Sequence, residues 1–190
     1  MRPEDISAVI LAGGRNSRMG RNKAELILNG KRFVDIQAEK LKALRIRDIM
    51  ISGYESGIPG TRCVQDIYPQ RGPLSGIHAC LRQAQNDACL VLGVDVPLLP
   101  DSVIEELIRF HESGATMLVH GGKYEPLIAV YDSALHETAE RILLTEKTRV
   151  MRFAECASLR LFEYEGDERL LMNCNTQELY DMARTLFTRE

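Results

Sequence analysis

Between Leu11 and Lys23 the sequence reads LAGGRNSRMGRNK: the small residues Ala12, Gly13 and Gly14 end an apolar run, and Arg15, Arg18, Arg21 and Lys23 follow with no acidic residue among them. Small residues let a backbone approach a ligand closely and offer its N–H groups, while the cations add charge, so the segment suits an anion with many oxygens. A polyphosphate fits this chemistry best. Arginines favour forked contacts to phosphate oxygens, whereas Lys23 is a mobile point charge able to meet negative charge developing on a pyrophosphate. The other reading is a solvated basic loop after a buried strand. Two familiar phosphate loops are excluded. Gly14 and Gly20 have five residues between them, with Arg21 after, which breaks the Walker A spacing, and Gly13 and Gly14 are adjacent, which breaks the dinucleotide fingerprint.

A second candidate is Asp95, which closes the apolar run ACLVLGVDVP. A carboxylate at the end of such a strand requires a partner, and on the rim of a sheet that faces a phosphate loop it makes a natural Mg²⁺ ligand. It could instead cap the turn before Pro97. A cation-rich loop and a metal-binding acid are the two halves of a nucleoside triphosphate site.

The elements that must position these groups alternate along the chain. Ile6 to Leu11 is a β-branched apolar run, Phe33 to Arg45 has helical spacing (Val34, Ala38, Leu41, Leu44), and Arg47 to Gly53 is apolar again, which together make a βαβ unit. The pattern then repeats with a strand TRCVQD, a helix from Pro73 to Asn86, the strand ending at Asp95, and a helix PDSVIEELIRFHESG. In that last helix Asp101 or Ser102 is expected to cap the N-terminus, Glu105 or Glu106 to add first-turn charge, and Gly114 to end it. A strand ATMLVHG and a strand YEPLIAVYD come next; helices over Ser133 to Leu144 and Thr148 to Ala157, an edge strand SLRLFEYE and a helix from Thr176 to Phe187 complete the chain. This alternation predicts an α/β fold, a mostly parallel central sheet with helices on both faces in a Rossmann-like three-layer sandwich. Ligands in such folds bind at the carboxyl ends of the strands. Gly13, Gly14, Asp66 and Asp95 all fall there.

Composition narrows the partners. The chain has 190 residues, 45% hydrophobic and 27% charged, in keeping with one domain spanning residues 1–190. A net charge of -3 argues against nucleic-acid and anionic-membrane partners, which need a broad basic surface. No apolar run approaches the ~20 residues needed to cross a bilayer, and Met1 to Ile10 lacks the organisation of a signal peptide, so a soluble cytoplasmic protein is expected. Five scattered cysteines without C-x-x-C spacing suggest neither disulfides nor zinc, and the four histidines lack H-x-x-x-H spacing.

The motifs LAGGRNSRMGRNKAEL, GPLSGI, LVLGVDVPLL and NCNTQEL occur in an order that resembles the molybdenum cofactor guanylyltransferases, within the larger nucleotidyltransferase group with the L-A-G-G-x-S/R-x-R-M-G-x-x-K signature. The resemblance runs from Ile6 to about Leu179. It implies a nucleotidyltransferase-type fold, GTP and molybdopterin or molybdenum-molybdopterin as substrates, and Mg²⁺ as the metal. It further implies that Leu11, Ala12, Gly13 and Gly14 contact the nucleotide, that Lys23 lies on its phosphates with Arg18 nearby, and that Asp66 and Asp95 also face it, Asp95 holding the metal. Arg18, Lys23 and Asp95 are thus the expected catalytic set. Gly72, Pro73 and Gly76 would line the nucleotide cleft, and Asn173 and Asn175 would stand at the second substrate. A transient contact with cofactor-delivery proteins or molybdoenzymes goes with such an activity. Three positions depart from the family pattern: Ser52 replaces a common Asn at the second strand's end, Glu125 replaces a His before Pro126, and Gln177 replaces the Pro of N-T-P-E. Related cytidylyltransferases and other small-molecule nucleotidyltransferases share the first loop and Asp95.

Overall fold

The computed structural model describes residues 1–13 and 22–187. Its centre is a seven-stranded sheet built from β1 (Ser7–Leu11), β4 (Asp48–Ser52), β5 (Thr61–Val64), β6 (Ala88–Gly93), β7 (Ala115–His120), β8 (Lys123–Asp132) and β9 (Leu159–Glu163), in the order β5-β4-β1-β6-β8-β7-β9. A two-stranded ribbon, β2 (Ile27–Leu28) with β3 (Lys31–Arg32), stands apart from it.

Strand alternation divides the apolar residues between two layers of helices. Ala8, Ile10, Leu90 and Leu92 pack with α1 (Phe33–Ala43), α3 (Asp101–Phe110) and α6 (Gln177–Phe187) on one face. Val9, Cys89, Val91 and Tyr131 pack with α2 (Pro73–Gln83), α4 (His136–Leu143) and α5 (Val150–Glu155) on the other. Because both faces are covered, β1, β4 and β6 are buried through almost every residue, which is why they read as continuous apolar runs.

The sheet is mostly parallel, as expected. β1 pairs in parallel with β4 and β6, β4 with β5, and β7 with β9. β8 alone runs against its neighbours β6 and β7. The cause is local: Gly121 and Gly122, at φ 54 and 77, form the two-residue turn that folds β8 straight back on β7.

The start of α3 corrects one expectation. Pro100 occupies the cap position and no side chain caps the helix, so neither Asp101 nor Ser102 plays that part. Asp101 supplies the first-turn charge, whereas Glu105 lies a turn further on and pairs with Arg109 at 2.6 Å. The helix also ends earlier, at Phe110, because buried His111 turns inward to Thr116 (2.9 Å) and Asp132 (3.0 Å). Gly114 serves the entry into β7 instead. Among the described residues no helix is long and apolar enough to cross a membrane.

Far from the strands' carboxyl ends, Asp48 is buried at the start of β4, where it accepts hydrogen bonds from Ser7 (2.7 Å), Arg62 (3.0 Å) and the Gln85 N–H (2.9 Å). Asp48→Ala removes the acceptor and strands these donors, so a loss of about 3 kcal/mol in stability is expected. Urea unfolding would measure it, and nucleotide affinity should stay unchanged.

Candidate active site

The carboxyl ends of β1, β4, β5 and β6 meet at a pocket of about 190 Å³. Leu11, Ala12 and Gly13 reach it from β1, Ser52 from β4, Asp66 from beyond β5, and Asp95 from the turn after β6. Gly72, Pro73 and Gly76 bring the N-terminus of α2 to the same pocket, and that helix end carries partial positive charge and unpaired N–H groups. Gly14 and Arg18, both expected in the site, lie outside the described residues.

Close backbone approach explains the glycines. A Cβ on Gly13 would come within 3.3 Å of the Ser52 carbonyl oxygen, and one on Gly76 would run into the Ser52 hydroxyl. Ser52 is thus buried between β1 and α2, with its short side chain against Gly76. Gly93 serves Asp95 in the same way, because a Cβ there would sit 2.8 Å from Asp95 Oδ1.

Lys23 is the hinge of the site. Asn22 accepts the Ala24 N–H at 3.0 Å and so starts a short 3₁₀ turn, Lys23–Glu25, that holds the lysine at the pocket. Its ammonium donates to Asp95 Oδ2 at 2.8 Å and also to Asn175 Oδ1. Asn175 belongs to a second, larger cavity of about 830 Å³, lined also by Asn173, His120, Lys123, Glu125 and Arg169. One cation of the first pocket is therefore bonded to the wall of the second. Glu125 is buried there and pairs with Lys123 at 2.6 Å.

The segment Asn173-Cys174-Asn175 alternates accordingly. Cys174 points into the core while its N–H donates to the Asp95 carbonyl at 2.8 Å, and both flanking asparagines face the larger cavity. Burial pushes the Cys174 thiol up to about 12, so it stays protonated and is no nucleophile. Asp66 is half-buried, and burial raises its carboxyl above the usual range, with the Ser75 and Ser52 hydroxyls working the other way. Among the described histidines, His78 is buried in α2 against Tyr68 and His111 is held at the far end of the sheet, so neither reaches the pocket.

The Asp95 carboxylate, one oxygen of which carries the Lys23 ammonium, is a donor that suits Mg²⁺ once the lysine moves off it, because Mg²⁺ takes one or two carboxylates and completes its shell with phosphate oxygens and water. Among the described residues no three His, Cys, Asp or Glu side chains form a self-sufficient metal cage. Asn22, Gly93, Val94 and Leu127 also line this pocket, and the sequence pointed to every other residue of its wall. Asn22 carried a usable signal, an N-cap residue type ahead of a short helical turn. Leu127 carried none, since it reaches the pocket only because β8 turns back across β6.

Residues 8–160 match the family described as MobA-like NTP transferase domain. A "Probable molybdenum cofactor guanylyltransferase" of Carboxydothermus hydrogenoformans is 28% identical over 97% of this chain and 98% of its own length. One with the same name from Clostridium perfringens strain 13 is 30% identical over 92% of this chain and 94% of its own length. Among solved structures, the molybdopterin-guanine dinucleotide biosynthesis protein A of Archaeoglobus fulgidus superposes with a TM-score of 0.82 and 22% identity, covering 97% of this chain and 100% of that one, a likeness of fold.

Proposed function

The chain belongs to the MobA-like NTP transferase family and is a nucleotidyltransferase, and on that premise we propose that it transfers GMP from GTP to the terminal phosphate of molybdopterin or molybdenum-molybdopterin. The products are the guanine dinucleotide form of the cofactor and pyrophosphate, and Mg²⁺ is the divalent ion. The observation that carries this reading is the contact of Lys23 with both Asp95 and Asn175, which joins a small pocket lined by the nucleotide motifs to a larger cavity beside it. Residues 1–190 act as one nucleotidyltransferase domain in this reading. GTP is a cytoplasmic metabolite, which puts the proposed reaction there.

The proposed chemistry needs no protein nucleophile. A phosphomonoester is largely ionised at neutral pH, so its oxygen attacks the α-phosphorus directly and no general base is required. The new P–O bond forms as the bond to the β-bridging oxygen breaks, and pyrophosphate leaves with the electron pair in line with the attack. Two anions must be brought together, and the protein's contribution is alignment and charge. The backbone at Ala12 and Gly13 and the N-terminus of α2 receive the nucleotide, while Asn173 and Asn175 orient the second substrate. Lys23 leaves Asp95 for the phosphates as the nucleotide enters, meeting charge that grows on the leaving group. Asp95 would hold Mg²⁺, which when bound neutralises triphosphate oxygens.

Base choice follows from acceptor chemistry at the pocket wall. Guanine presents the N1–H and N2–H₂ donors on one edge, and the half-buried Asp66 carboxylate at the pocket wall is a two-oxygen acceptor suited to them. Cytosine offers only an amino donor beside an acceptor nitrogen. GTP should therefore bind at least about tenfold more tightly than CTP, and Asp66→Asn should erase most of that preference, since one good bidentate pair discriminates by about 1–3 kcal/mol. Calorimetric titration of both nucleotides checks this. Saturation by CTP alone sinks the guanylyl assignment, and a wild-type protein that releases no pyrophosphate from GTP and molybdopterin sinks the transfer itself.

A further inference from the structure

The turn that carries Asp95 joins β6, which ends at Gly93, to α3, and inside it the Leu99 N–H donates to the Val96 carbonyl (3.3 Å). Two side chains of α1 donate to four carbonyls of this stretch. Gln37, fully buried, donates its amide to the carbonyl oxygens of Gly93 (3.2 Å) and Val96 (2.9 Å), which bracket Asp95 on either side. One turn along the same face, Lys40 donates to the carbonyls of Pro97 (2.6 Å) and Leu99 (2.5 Å). The turn is also held by its Val94 N–H on the Leu11 carbonyl of β1 (3.2 Å) and by the Cys174 N–H, from the segment before α6, on the Asp95 carbonyl (2.8 Å).

A primary amide in this place is a costly choice. Gln37 sits on the buried face of a helix whose neighbours Val34, Ile36, Ala38 and Leu41 are all apolar core, and its Oε1 has no partner among the described residues. Packing alone would be served better by an apolar side chain, because an unpaired buried carbonyl oxygen costs free energy. What the amide does that leucine cannot is hold two carbonyls at once on both sides of one carboxylate.

We propose that Gln37 is the positioning residue for Asp95: by clamping Gly93 and Val96 it fixes the backbone from which the Asp95 carboxylate meets the divalent cation and Lys23. The inference rests on the nucleotidyltransferase reading given above. Groups that hold a metal ligand in place rank close to the ligands themselves, and their loss commonly lowers metal affinity or activity by about 10–100-fold.

The test uses the full chain with Gln37→Met, which keeps the length of the side chain and removes both donors. Mn²⁺ binding in the presence of a non-hydrolysable GTP analogue, followed by electron paramagnetic resonance, is expected to weaken at least about tenfold. The Mg²⁺ concentration for half-maximal pyrophosphate release should rise by a similar factor, with metal-free GTP affinity within about twofold of wild type. A role in packing alone would lower the unfolding temperature and leave Mn²⁺ affinity untouched; that outcome in a folded Gln37→Met protein overturns the proposal. Should Gln37→Met fail to fold, Gln37→Asn keeps an amide but withdraws it by one methylene, and the same comparison decides. A wild-type protein that binds no Mn²⁺ with the GTP analogue overturns the reading of the site as a whole, and this inference with it.

Discussion

Asp95→Asn is expected to lower Mg²⁺-dependent pyrophosphate release by at least about a thousandfold, corresponding to about 4 kcal/mol of lost transition-state stabilisation. The substitution keeps the shape of the side chain and removes its charge. In the wild type the carboxylate folds back over Gly93, with the Lys23 ammonium 2.8 Å from Oδ2. An asparagine there offers one neutral oxygen and a donor amide that faces the cations it should attract. The fold should survive, because the Asp95 side chain lies at the rim of the sheet and its backbone contacts to Cys174 remain. Circular dichroism should match wild type while turnover collapses. Turnover within tenfold of wild type at saturating Mg²⁺ would remove Asp95 from the metal.

The reach of the sequence differed from one part of the molecule to another, for physical reasons. β1, β4 and β6 were legible because burial on both faces forces unbroken apolar runs, and their ends located Gly13, Ser52 and Asp95. The orientation of β8 was less legible: its composition is that of any buried strand, and only the Gly121-Gly122 pair at its start signals that it doubles back. The Lys23 to Asn175 contact spans most of the chain and has no local signature, although both residues stood out in their own motifs. Gln37 was the least visible, since a polar residue in an amphipathic helix normally reads as solvent-facing and its value lies in two carbonyls far along the chain.

Lys23→Met should separate two jobs that the wild-type lysine combines. In the structure its ammonium serves as the counter-cation of Asp95, partly buried with it, and is tied to Asn175. The proposed reaction moves it onto phosphate oxygens, where a positive charge placed in advance is worth about 10²–10³ in rate. Methionine retains much of the stem and loses the charge, so kcat should fall by about that factor while the KM for GTP changes much less. Lys23→Arg should rescue poorly, because a planar guanidinium cannot replace a compact ammonium between one carboxylate and one amide oxygen. A second readout should move in the opposite direction. With no ammonium on Oδ2, Asp95 is open to a metal before nucleotide arrives, so Mn²⁺ affinity of the nucleotide-free protein should rise as turnover drops. A merely structural lysine would give lower stability and no gain in metal affinity. Wild-type kcat in a folded Lys23→Met protein would show that charge at this position does not act in the transition state.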